Sequence, residues 1–385
     1  LYFITRQPPY LECARLFQQT GKLEPVSRGR DVLYTPSKPH NYSHANATIP
    51  QFSAAACMYE MTGERLYRKA AFNFWEMVVE GRTYCNGSTG YREHWNHGAD
   101  SLSQELGIKA GETCCSYNMI KLSTRLCCID PESKYADYTE RALFNHILGS
   151  IHPKTGNFMY FHTLQPGSFK TYGRNAEVFW CCTGTGMENP VRYNEVIYLH
   201  SDDELYVNQF IASRLFWREK GVRVEQVTQF PEEGSSTLRI EGEGGRFTLA
   251  VRVPSWCRET MQILLNGEPR RVRPGRDGYC RIKREWQSGD EVQLILPMTD
   301  GRPPLRAHRL GRRLGDGRRD GTAHKRDRQF LRRRARSLPG AHENPHPHGQ
   351  RRRSLVAPAR ARQAAPLHDA GHIGRKPAPL RPALQ

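Results

Sequence analysis

The apolar residues of this 385-residue chain keep a helical spacing up to about residue 200 and then begin to alternate. That single change of period restricts the fold more than any motif does. Gly63-Glu64-Arg65-Leu66-Tyr67 opens a helix whose Leu66, Ala70, Phe74 and Val78 step by four along one face. Further helices are predicted from about Thr113 to Ile129, with Met119, Leu122 and Leu126 inward, from Ser133 to Ile151, and more briefly from about Asn189 to Leu199. Between the last two lies an extended piece, Asn157 to Trp180, rich in aromatics and glycine. From Glu204 the period is two: Leu205-Tyr206-Val207, Val222 to Val227, Thr237 to Glu241, Phe247 to Val253, Gln262 to Leu265 and Glu291 to Leu296 read as strands. Asn266-Gly267 and Gly275-Arg276-Asp277-Gly278 supply turns between strands. The expectation is an α+β multidomain chain. A helical toroid with a site at one rim (1–200) precedes a β-sandwich (201–298) and an unrelated tail (299–385).

The tail carries most of the charge. Residues 299–385 hold 22 Lys+Arg against 6 Asp+Glu, a net of +16 out of the total of +18, so residues 1–298 are nearly neutral at +2. With Phe330 as its one aromatic and no Cys, Tyr or Trp, this segment cannot bury enough apolar surface to offset the entropy of ordering it. Two readings stand: a disordered basic arm that binds anions, or a GC-rich gene read in the wrong frame. Nucleic-acid binding through the tail is disfavoured because no stacking aromatics interleave the arginines. No transmembrane span is present, so no membrane partner is expected. A start at Leu1 without methionine reads as a fragment, which leaves targeting unassigned. Eleven cysteines, unevenly spaced and partly vicinal, suit reduced or metal-bound thiols more than a disulfide framework, which tilts the compartment toward the cytoplasm. No oligomeric state follows.

Three cysteine pairs are vicinal, and neighbours rarely bridge to each other because a disulfide needs a larger Cα separation. Glu112-Thr113-Cys114 and the distant Cys181-Cys182 could instead supply one carboxylate and three thiolates to a tetrahedral zinc. Glu112 and Cys114 stand at a helix start, where backbone N–H groups favour anions and depress a thiol's pKa. Cys181-Cys182 follows two large apolar residues, Phe179-Trp180, and precedes Thr-Gly-Thr-Gly, which lets the backbone approach a ligand closely before a helix near Met187 to Asn189; two adjacent cysteines on a bend can both turn toward one metal. The plain alternative for each pair is a set of small buried residues. Cys127 and Cys128, at the far end of their helix, fit core packing.

Glu93, between Arg92 and His94-Trp95, places a carboxyl beside aromatics, where desolvation would raise its pKa toward that of a proton donor. The alternative is a solvated loop glutamate. His44, in Ser43-His44-Ala45-Asn46-Ala47-Thr48, reads either as a ligand contact or as a cap before a helix.

Together these runs resemble the zinc-thiolate β-L-arabinofuranosidases, glycoside hydrolase families 127 and 146. The likeness rests on Ser43-His44-Ala45-Asn46-Ala47-Thr48-Ile49-Pro50, Glu60-Met61-Thr62-Gly63, Arg92-Glu93-His94-Trp95, Gly111-Glu112-Thr113-Cys114, Tyr117-Asn118-Met119, and Phe179 through Asn189. It extends from about residue 40 to 298. It implies an (α/α)6 barrel followed by β-sandwich domains. It also implies zinc held by Glu112, Cys114, Cys181 and Cys182, with Cys181 as nucleophile, Glu93 as general acid/base, and His44 and Tyr160 as sugar contacts. Cys115 is not among the implied ligands. The implied reaction is the release of terminal β-L-arabinofuranose from an arabinose-bearing oligosaccharide or glycan with retained configuration. The family's barrel begins before residue 1, so only part of it is expected here, and the tail lies outside the resemblance. A competing class is an inactive fragment in which zinc only staples helices together.

Overall fold

The computed structural model describes residues 1–34, 43–173, 178–257, 261–298 and 381–382. Helices come first: α1 (Tyr2–Thr5), α2 (Pro8–Leu16), α3 (Thr20–Ser27), α4 (Ala45–Thr62), α5 (Arg65–Gly81), α6 (Thr113–Ile129), α7 (Ser133–Ala142), α8 (Cys181–Arg192) and α9 (Asn194–Ile197). The four-residue spacing on α5 does what it predicts, since Ala70, Phe74 and Val78 are buried with Tyr67, Ala71 and Trp75. Phe52 of α4 stacks on Phe74 of α5 at 3.9 Å, and Trp75 meets Tyr135 of α7 edge-on at 4.7 Å. The Trp75 indole N–H is satisfied by Ser123 Oγ at 2.8 Å, whereas the buried Tyr135 hydroxyl has no hydrogen-bond partner among the described residues. Two expectations need correction here. The third predicted helix does not run regularly to Ile151: after Ala142 it widens into a π-helical turn (Leu143–Ile147) and ends in a 3-10 turn (Leu148–Ser150). The fourth begins eight residues early, at Cys181, and Leu199 belongs to a strand.

Strands follow in two sheets. The first runs β11 (Arg381–Pro382), β1 (Tyr198–His200), β2 (Glu204–Val207), β6 (Gly245–Arg252), β9 (Tyr279–Trp286), with β2 and β6 parallel. The second runs β3 (Ser213–Trp217), β4 (Val222–Thr228), β5 (Ser235–Gly242), β10 (Glu291–Ile295), β7 (Gln262–Leu265), β8 (Glu268–Arg270). One apolar cluster contains Leu205, Val207, Leu249 and Val251 of the first sheet and Val224, Leu238, Ile240 and Leu294 of the second. The two inner faces therefore share a core, as a β-sandwich requires. Asn266 (φ 52°) and Gly267 (φ 82°) make the tight turn between β7 and β8, both left-handed as that turn type demands. The fold is thus a helical domain followed by a β-sandwich-like domain. The reading of 299–385 as disordered falls outside the described residues except for the two of β11.

The helical and sheet parts meet through a buried ion cluster. Arg252, fully buried at the end of β6, donates to Asp137 Oδ1 (2.5 Å), to Glu140 of α7 and to the carbonyl of Asn208 (2.5 Å). Asp137 also accepts from the Ser255 amide, and Glu140 from the Trp256 indole. Cys127 lies 3.7 Å from the buried Tyr279 hydroxyl and Cys128 is buried beside it, so this pair is core, as expected. All eleven cysteines are free, and no helix among the described residues is long and apolar enough to cross a membrane.

Candidate active site

Two helices begin at the same place. Cys114 is the second residue of α6, and Cys181 and Cys182 are the first two of α8. Within α8, Gly186 serves packing. A Cβ on Gly186 would stand 2.3 Å from Phe158 Cδ1, so only glycine lets this helix lie against the Phe158 ring. The bend expected at Cys181-Cys182 is instead the first turn of α8, and Thr-Gly-Thr-Gly continues that helix. Thr113 Oγ1 ties the two starts together, donating to the carbonyl of Cys182 at 3.2 Å.

The result is a cluster of three sulfurs, those of Cys114, Cys181 and Cys182, all within 4.8 Å of one another. Cys114 and Cys182 are buried, 3.5 Å apart, whereas Cys181 is exposed. The hydrogen bond between Cys114 and Cys182, with Thr185 Oγ1 at 3.2 Å, brings the Cys114 pKa down to about 6. The same hydrogen bond raises the Cys182 pKa, and burial pushes the Cys181 thiol up. One thiolate is thus available near neutral pH, supported by two helix N-termini. Thr185 has no signal in the sequence until α8 is known to start at Cys181; it then falls three and four residues beyond the two cysteines.

Glu112 caps this arrangement from the residue before α6. Its carboxyl is 1% exposed, Oε1 has no hydrogen-bond partner, and its pKa is pushed up to about 8, first by burial and then by the nearby Cys114 and Glu93. It stands beside the three-sulfur group and not within its 4.8 Å. A buried, unpartnered carboxyl oxygen next to three clustered thiols is a donor set that suits a cation. Tetrahedral thiolate coordination separates sulfurs by about 3.8 Å, so a soft divalent ion fits these donors.

The opposite wall is built from the loop before α6. Arg92 (φ 47°) and Glu93 (φ 70°) are consecutive left-handed residues, a strained backbone typical of functional loops. Glu93 does not lie among the flanking aromatics: Trp95 turns inward to Thr89, and the Glu93 carboxyl instead accepts from Tyr160 OH at 2.5 Å. Cys181 Sγ lies 3.7 Å from the same hydroxyl, so about 6 Å at most separates this sulfur from the carboxylate oxygen. Burial, with the Glu93 hydrogen bond, raises the Tyr160 pKa, which keeps its proton on the hydroxyl. His44 takes the capping role weighed for it. Its Nδ1 accepts from the Ala47 amide at 3.3 Å as the cap of α4, which puts the ring proton on Nε2, 3.8 Å from Glu93 Oε2. Cys115 faces away, buried against Gly90.

A helical domain whose rim gathers thiols and a carboxylate opposite a second carboxylate, followed by a β-sandwich, defines a class of glycoside hydrolase. Residues 1–195 match the β-L-arabinofuranosidase GH127 catalytic domain and residues 204–298 its middle domain, and the chain belongs to this family. A non-reducing end β-L-arabinofuranosidase from Bifidobacterium longum subsp. longum is 24% identical over 258 residues, 62% of this chain and 38% of that protein. A GH127 β-L-arabinofuranosidase from Geobacillus stearothermophilus T6 is 25% identical with a TM-score of 0.61, covering 78% of this chain and 52% of its own. A second solved GH127 β-arabinofuranosidase, 24% identical, shares the fold at a TM-score of 0.64 over 78% of this chain and 50% of its own. The chain thus spans about half the length of these solved structures and less of the curated relative.

Proposed function

We propose that this chain carries the catalytic centre of a retaining β-L-arabinofuranosidase that uses Cys181 as nucleophile and Glu93 as acid/base, with zinc held by Cys114, Cys181, Cys182 and Glu112. The observation that carries the reading is the asymmetry of the cluster: Cys114, Cys182 and Glu112 are buried, while Cys181 is exposed toward Glu93 at most about 6 Å away. A purely structural zinc site fills four enclosed positions and leaves no sulfur open to solvent. When bound, zinc keeps the sulfur deprotonated and stabilises it as a leaving group.

The residues then do the following. Cys181 Sγ attacks the anomeric carbon while Glu93 passes its proton to the departing glycosidic oxygen, leaving the sugar as a thioglycoside on Cys181. Glu93, now a carboxylate, takes a proton from water, and that water attacks the same carbon. The C–S bond breaks, the sulfur leaves as thiolate, and two inversions give net retention. Tyr160, whose hydroxyl touches both Glu93 and Cys181, and His44, whose Nε2–H faces Glu93, are placed to contact the sugar ring between them. The substrate class is an arabinose-bearing oligosaccharide or glycan.

The test pairs elemental analysis for zinc with turnover of an aryl β-L-arabinofuranoside. Cys181→Ser should remain folded and lose turnover. A folded Cys181→Ser protein that keeps full activity, or release of sugar with inverted configuration by NMR, would sink the reading.

A further inference from the structure

Beneath the site runs a partly buried polar chain that the mechanism leaves unused, and its hub is the half-buried His162, two residues beyond Tyr160. The His162 amide donates to the carbonyl of Gly111 at 2.9 Å, and its ring stacks on that of His146, with centroids 5.1 Å apart at 27°. His162 Nδ1 meets Asn86 Nδ2 at 3.2 Å. Asn86 Oδ1 already accepts from the Ser88 amide (3.0 Å) and hydroxyl (2.7 Å), so its NH2 must face the ring, and Nδ1 is the acceptor. Ser88 in turn presses on Gly111 (φ 64°), where any Cβ would stand 2.3 Å from its Oγ. The Gly111 amide closes the circuit onto the Gly90 carbonyl, just before the left-handed pair that aims Glu93. On its other side, His146 Nδ1 bonds Ser116 Oγ at 2.7 Å in the first turn of α6. Burial lowers both imidazoles, to about 3 for His146 and about 4 for His162, so the hub is neutral.

We propose that His162, backed by His146, is a positioning residue that fixes Glu93, Tyr160, Glu112 and the Cys114 end of α6 relative to one another. These groups hang from three segments, the loop of Glu93, the stretch of Tyr160 and the α6 start that carries both Glu112 and Cys114, and this stacked pair with its hydrogen bonds is attached to all three. The inference rests on the reading of the site given above. Groups that orient metal ligands from behind typically alter metal affinity or activity by about 10- to 100-fold when removed.

The experiment uses the full chain loaded with zinc, comparing His162→Leu with His162→Asn, whose carbonyl oxygen can replace Nδ1 as acceptor for Asn86. Zinc affinity is read by competition with a chromogenic chelator, beside kcat and KM for an aryl β-L-arabinofuranoside. His162→Leu should loosen zinc about tenfold or more and lower kcat with KM nearly unchanged, and His162→Asn should recover most of both. Should His162→Leu not fold, Asn86→Leu, which removes the donor and keeps the ring, carries the same expectation. Zinc affinity and kcat unchanged in the folded variant overturn the inference alone, as does a His162→Asn protein no better than His162→Leu. A chain that takes up no zinc before any substitution overturns the inference together with the reading beneath it.

Discussion

Replacing Glu112 with glutamine should stabilise the metal-free protein while weakening its hold on zinc. The carboxyl is 1% exposed with Oε1 unpartnered, and burial, then Cys114 and Glu93, push its pKa from 4.5 up to about 8. An acid whose pKa is higher folded than unfolded takes up a proton on folding. Its presence therefore costs stability progressively as pH rises from the unfolded value toward the folded one. At pH 7, about 2.5 above the unfolded value, the cost is about 3 kcal/mol at about 1.4 kcal/mol per pH unit; at pH 5 it is about 1 kcal/mol or less. Glutamine keeps the shape and removes the proton equilibrium. In urea denaturation of chelator-treated protein, Glu112→Gln should exceed the unaltered chain by up to about 3 kcal/mol at pH 7, with the advantage shrinking toward pH 5. Its zinc affinity should fall, because a neutral amide replaces an anionic donor. A metal-free Glu112→Gln protein no more stable at pH 7, or an advantage that does not grow with pH, would mean the carboxyl is not held out of water awaiting a cation.

Glu93→Gln should lower kcat by about 10²- to 10⁴-fold on substrates with poor leaving groups, and less on activated aryl glycosides, whose departure needs no proton; equal losses on both would argue against an acid role. Arg252→Met should cost about 3 kcal/mol by thermal denaturation at pH 7, the low end for breaking a buried ion pair, because Asp137 and Glu140 keep their bonds to Ser255 and Trp256. Without the guanidinium both carboxyls hold their protons to higher pH, so that deficit should shrink as pH falls; a loss below about 1 kcal/mol at pH 7 would show the cluster to be well solvated.

Where packing and periodicity agree, the sequence is a good guide. α6 begins and ends where its apolar spacing and the flanking Glu112 and Asp130 put it, and β7 occupies Gln262–Leu265 as its alternation implies. β9 goes unread because its alternation is hidden: Arg281, Lys283 and Glu285 interleave with Cys280, Ile282 and Arg284, so charges occupy both faces of the strand. Five of the seven residues singled out as functional, Cys114, Cys181, Cys182, Tyr160 and Glu93, are linked by contacts through Tyr160 OH and the sulfur cluster, although 88 positions separate Glu93 from Cys181. Spacing alone could not show that. It depends on a left-handed turn at Arg92 and Glu93, which neither residue type advertises. The polar chain through Asn86, His146 and His162 is equally silent in sequence, since single histidines carry no period.

The start of α8 shows why composition misleads most at the site itself. Glycines at 184 and 186 lower helix propensity by about 1 kcal/mol each, so the local prediction is a bend. The long-range contact with Phe158 tolerates no side chain at Gly186 and recovers the loss through packing. Had the segment been a bend, Cys181 and Cys182 would have stood on free backbone with no dipole behind them. As the first turn of a helix they present unpaired N–H groups beside the second such set at α6, and both sets raise the positive potential where sulfurs must shed protons. Burial then divides the labour. Cys114 and Cys182, sealed at 1% exposure or less, can serve as holders, and Cys181, alone in facing solvent, can reach a substrate. Gly186, which helps make the sequence look loose, lets α8 lie against Phe158 with the Cys181 sulfur outward and those of Cys114 and Cys182 inside.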